Sequence, residues 1–112
     1  MDKEGWCPLR ADLMSTPGVK HLYMTLCAHS MELVDCGFDI TVPEGYEIQV
    51  RNTKLSRFFV TNGTDYEGNP RRMRLTLINF NMAGVGVHHG DVIGEMCVRP
   101  MNNIPIMVED EE

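Results

Sequence analysis

At 112 residues, 43% hydrophobic and 23% charged, the chain has the composition of one small globular domain. A net charge of −6 argues against a nucleic-acid partner, which would need a basic surface. No run approaches the roughly 18 apolar residues of a membrane span, so no membrane is expected either.

The opening MDKEGWCPLR lacks a basic region leading into an apolar run, so it is not a secretory signal and a reducing, cytoplasmic setting is expected. Residues 1–18 hold Gly5, Pro8, Pro17 and Gly18 around a short apolar set and are expected to form an irregular arm, with a turn of helix near Leu9–Met14. The body of the domain is placed at 19–108, and 109–112 form an acidic, solvated tail. No window of 11 or more residues carries a helical stripe. Strands are expected near 20–27, 31–41, 46–51, 56–61, 72–81, 92–99 and 103–108.

In the fifth of these, Met73, Leu75 and Leu77 alternate with Arg72, Arg74 and Thr76, giving one dry and one wet face. The alternation breaks at Ile78, which predicts a bulge or a stretch buried on both faces. In the sixth, Val92, Gly94, Met96 and Val98 oppose Ile93, Glu95 and Cys97. PEG at 43–45 and GNP at 68–70 are turn chemistry. Seven short strands between regular turns predict an all-β sandwich or jelly roll.

The four cysteines form no CxxC pair, and His88-His89 has no Cys at ligand spacing, so no zinc site is expected. The cysteines and the nine methionines read as core packing. Arg71, Arg72 and Arg74 are either a local anion site or a solvated strand edge. The His pair, among Gly84, Gly86 and Gly90, reads as a polar hairpin tip, with a pH-sensitive or metal site as the sharper alternative. Trp6 and Phe58-Phe59 are core or subunit packing, or a partner patch.

One order of motifs goes further. DYEGN at 65–69, a strand ending INFN, GD at 90–91 and the strand VIGEMCVRP follow one another. Upstream lies VPEGYEIQVRNTKL at 42–55. Over roughly residues 31–108 this order resembles the trimeric dUTPase family, whose DYxG turn, Asn-containing segment and GDxIAQ strand recur in that sequence. The resemblance implies a jelly-roll homotrimer. It also implies a magnesium-assisted pyrophosphatase, in which a third-motif carboxylate activates water, an Asp supports magnesium through waters, and Ser and Arg hold the phosphates.

Carried over, the resemblance makes Asp65, Tyr66 and Gly68 the nucleoside-side residues, and Thr53 and Lys54 the remnants of the phosphate loop; the alternative is that Asp65 caps a turn, Tyr66 packs in a subunit interface and Gly68 allows a positive φ. The position of the base falls on Gly63, which accepts no proton. The Arg and Ser of the second motif are unmatched, and the tail EDEE would repel a triphosphate. In a rival register, CGFDI at 36–40 is the first motif and Asp39 its metal-linked carboxylate.

The implied reading is a catalytically degenerate binder of a protein partner or of a nucleotide held without turnover. It has no resident metal or cofactor, and magnesium enters only with a nucleotide. One alternative is an active dUTP or deoxynucleotide pyrophosphatase with relocated catalytic groups, the candidates being Asp39, Asp65 and Glu95. Another is a trimeric structural or decoration protein. Short, divergent members of this kind are reminiscent of viral or phage versions of the family.

Overall fold

The computed structural model describes residues 5–53, 57–62 and 70–101. Among them the chain forms eight strands and no helix: β1 (Cys7–Arg10), β2 (Tyr23–Leu26), β3 (Met31–Ile40), β4 (Tyr46–Arg51), β5 (Phe59–Asn62), β6 (Arg71–Ile78), β7 (Val85–His88) and β8 (Val92–Pro100). All pairings are antiparallel, in three small sheets ordered β1-β8-β4, β2-β7 and β3-β6-β5. This all-β architecture fits the jelly roll expected from the strand spacing.

The core follows from side-chain alternation. On β6, Met73, Leu75 and Leu77 are fully buried, while Arg72, Arg74, Thr76 and Ile78 are half-buried on the other face. The inner residues pack with Leu9, Leu13, Leu26, Val34, Val87 and Ile93 in one cluster. The bulge expected at Ile78 lies elsewhere. Nor is this end of β6 buried on both faces: Ile78 stays in register, half-buried in a cross-strand row with the exposed Met31 of β3 and Phe59 of β5. The register shift falls on β3 between Asp35 and Asp39, where Gly37 has a φ of +87° that a side chain would strain. A second shift lets Arg10 pair with Val92 and Leu9 with Gly94; it leaves Ile93 buried at 1% exposure beside Val92 at 38%. Strict alternation along β8 fails for that reason.

Three expectations change. The first 18 residues are not simply an irregular arm, because Cys7–Arg10 pair with β8 and Leu9, Ala11 and Leu13 enter the core. No helical turn forms over 9–14. The Gly-rich stretch before GD contains β7, which pairs with β2, and its glycines hid it as a strand. The PEG turn closes as expected, with Tyr46 N–H donating to Pro43 O at 3.1 Å. The strand expected over 103–108, the tail and the GN of the GNP turn lie outside the described residues.

Asn79 locks the end of β6. Fully buried, it sets Nδ2 within 3.0–3.2 Å of the carbonyls of Leu26, Cys27 and Ala83, and Oδ1 accepts Asn81 N–H at 2.9 Å. The first asparagine of INFN therefore ties β6 to the end of β2 and to the turn entering β7.

Candidate functional site

The candidate residues fall into two groups. Asp65, Tyr66, Gly68 and Lys54, together with Gly63, lie outside the described residues. Asp39, Glu95 and Thr53 lie inside them, on different parts of the fold.

Asp39 sits near the end of β3, opposite Arg72 of β6. Because the β3 bulge absorbs two extra residues, Asp35 and Asp39 project to the same face as Arg72 and Arg74. Arg72 Nε lies 3.1 Å from both oxygens of Asp35, and its Nη1 lies 3.4 Å from Asp39 Oδ1. Arg74 Nε is 3.7 Å from Asp35 Oδ2. The Asp35 side chain is 5% exposed and that of Asp39 59%. The hydrogen bond to Asp35 leads the causes that raise the Arg72 pKa above its usual value, with the charges of Asp35 and Asp39 adding to it. Next to this pair, burial first and the Asp35 charge second push the Cys36 thiol up to about 12, so it stays protonated.

Neither reading of the arginine cluster as an anion site or a strand edge survives. β6 is the central strand of its sheet, and Arg72 and Arg74 face internal carboxylates. Asp35 was missed because its partners lie 37 and 39 positions away, and only the register of β3 on β6 brings them together.

Glu95 lies in the other sheet, on β8 opposite Arg51 of β4. Arg51 Nε donates to Glu95 Oε1 at 3.1 Å, and the Arg51 guanidinium stacks 4.0 Å from the centre of the Trp6 ring. Arg99 lies 5.6 Å from the same ring, and its Nε donates to Cys97 Sγ at 3.0 Å. Trp6 is thus a lid on a charged strand face. The two described carboxylates proposed as relocated bases stand on separate sheets, each already paired with an arginine.

Thr53 is half-buried just past β4. Its neighbour Asn52 accepts Val60 N–H at 2.8 Å, pinning the end of β4 to β5. An open cavity of about 530 Å³ lies there, lined by Asn52, Arg57, Phe58, Phe59, Phe80 and Asn81 among others. Phe59 and Phe80 meet edge to face, 5.3 Å between ring centres, and both are more than half exposed. The cavity combines aromatic surface with one guanidinium beside the segment matched to the phosphate loop.

Among the described residues no three His, Cys, Asp or Glu side chains gather as a metal cradle, and Asp39 faces arginine instead. Nor is any helix among the described residues long and apolar enough to cross a membrane.

The N-terminal turn holds one further polar cluster. Asp12 Oδ1 accepts the Met14 and Ser15 N–H groups at 3.1 and 3.2 Å, and Oδ2 accepts the Ser15 hydroxyl at 2.8 Å. The Ser15 hydroxyl leads the causes that hold the Asp12 carboxyl below the usual carboxylate range. His88-His89 do not tip a hairpin: β7 pairs with β2 and β8 with β1 and β4, and His89 Nδ1 accepts Leu13 N–H at 3.1 Å in the turn between them.

Comparison with known proteins gives two relatives with a common name. Deoxyuridine 5'-triphosphate nucleotidohydrolase of Desulfotalea psychrophila is 32% identical over 80 residues, covering 62% of this chain and 50% of that protein. The protein of the same name from Neorickettsia sennetsu is 33% identical over 98 residues, covering 80% of this chain and 63% of that protein. The matches thus span between half and two thirds of the relatives' own length. No family model matches the chain.

Proposed function

We propose that the chain, similar to two deoxyuridine 5'-triphosphate nucleotidohydrolases over 62% and 80% of its length, acts by binding, without hydrolysing a nucleotide. The observation that carries the proposal is the state of the carboxylates. The sequence puts Gly63 where the family's base stands, and the described carboxylates that could replace it, Asp39 and Glu95, are engaged by Arg72 and Arg51. A general base needs a lone pair aimed at water, and each of these carboxylates directs an oxygen at a guanidinium instead.

The working unit in this reading is a homotrimer. Met31, Leu33, Phe59 and Phe80 are all more than 45% exposed, and three of them line one face of the β3-β6-β5 sheet, as a surface that meets another subunit would. Its ligand is a deoxynucleotide or a partner protein. For a nucleotide, Asp65, Tyr66 and Gly68 take the nucleoside side, and Thr53 and Lys54 the phosphate side. Any magnesium arrives with the phosphates. Four free thiols, two of them exposed, support a reducing, cytoplasmic setting.

The test is product formation. With dUTP and magnesium, the purified protein is expected to release no dUMP above the uncatalysed background. Turnover at about 1 per second or faster, the ordinary range for enzymes, overturns the proposal.

A further inference from the structure

We propose that His89 is a proton-operated latch that fastens the Asp12–Leu13 turn to the turn between β7 and β8 when neutral and releases the Leu13 amide when protonated. The attachment is mostly backbone. Ala11 N–H donates to Asp91 O at 2.9 Å, Gly90 N–H to Ala11 O at 2.8 Å, and His89 N–H to Leu22 O at 2.9 Å. Leu13, fully buried, is different: its N–H is met by a side chain, His89 Nδ1 at 3.1 Å. The same nitrogen is 3.8 Å from Asp12 Oδ1.

Nδ1 cannot accept the Leu13 proton and carry one of its own. The shorter contact fixes the imidazole as neutral, with its proton on Nε2. Adding a proton to Nδ1 sets two N–H groups against each other. It also creates a donor that Asp12 can take after a small turn of the ring. Histidine is the side chain whose charge ordinarily changes between pH 5 and 8.

The charged and titratable groups around His89 come from the Asp12 turn, the β7–β8 connection, β1 and the segment entering β2. Asp12 faces it from its own turn, while His88 and Asp91 flank it in the β7–β8 connection, their side chains 3.7 Å apart. Arg10 on β1 spends its guanidinium on Gly90 O at 3.0 Å, and His21 precedes the Leu22 carbonyl that holds the His89 amide. Asp12 already accepts three donors, so its move toward His89 loosens the Ser15 contacts. Protonation therefore replaces a hydrogen bond that orders the turn with an ion pair that strains it.

The test is amide hydrogen exchange on the full chain from pH 8 to pH 5, corrected for intrinsic rates. Leu13 is expected to lose protection by about tenfold relative to Ala11 and Gly90, whose bonds are to backbone only. His89→Gln, which keeps an acceptor and cannot be protonated, is expected to abolish that dependence, while His88→Gln leaves it. Should His89→Gln fail to fold, the imidazole ¹⁵N shifts of the unaltered protein at pH 8 decide: an unprotonated Nδ1 supports the latch. A protonated Nδ1 at pH 8, or Leu13 protection that tracks Ala11 and Gly90 throughout, overturns it.

Discussion

At the scale of single residues, the molecule spends its polar side chains on holding itself together. Glu95 and Asp39, the carboxylates most open to a catalytic reading, are partners of Arg51 and Arg72. Asn79 is the sharpest case of a polar residue used structurally, since it satisfies three carbonyls and one N–H in a fully buried position. Asn79→Ala leaves those groups without a partner and is expected to cost about 3 kcal/mol, read as a lower urea midpoint at unchanged slope. A loss below about 0.5 kcal/mol would mean that water replaces the side chain without penalty.

At the scale of elements, the legible parts of the fold were those where one strand obeys one rule. The dry and wet faces of β6 could be read directly from Met73, Leu75 and Leu77 against Arg72, Arg74 and Thr76. The β4 strand falls at 46–51 in sequence and structure alike. What could not be read depends on pairing. β1 hides behind Pro8, which an edge strand tolerates, and β7 behind its glycines. The bulges at Gly37 and Ile93 reassign which neighbours share a face, and so decide that Asp35 and Asp39 both meet Arg72. Of the site, only Asp39, Glu95 and Thr53 fall in the described residues, and their neighbours across the sheet are invisible to a reading along the chain. The β1 finding has a direct check. Leu9 is 1% exposed in the core, so Leu9→Ala is expected to destabilise by about 3 kcal/mol in equilibrium unfolding. A cost under about 1 kcal/mol would show that β1 lies outside the cooperative core.

At the scale of the whole molecule, the exposed apolar row on the β3-β6-β5 sheet and the open cavity beside Asn52 are surfaces that a partner could cover. The trimer reading predicts a single species of three chains in sedimentation equilibrium, and replacing Phe59 and Phe80 together by Ser is expected to shift it toward monomer. A monomer in the unaltered protein contradicts that reading. The central claim, binding without turnover, is tested most directly by titrating dUTP with magnesium into the protein in a calorimeter. A protein that binds without hydrolysing gives injection heats that return to the baseline, saturating if the nucleotide is the ligand and absent if the partner is a protein. A sustained heat flow after each injection, equivalent to about 1 turnover per second or more, would contradict the claim.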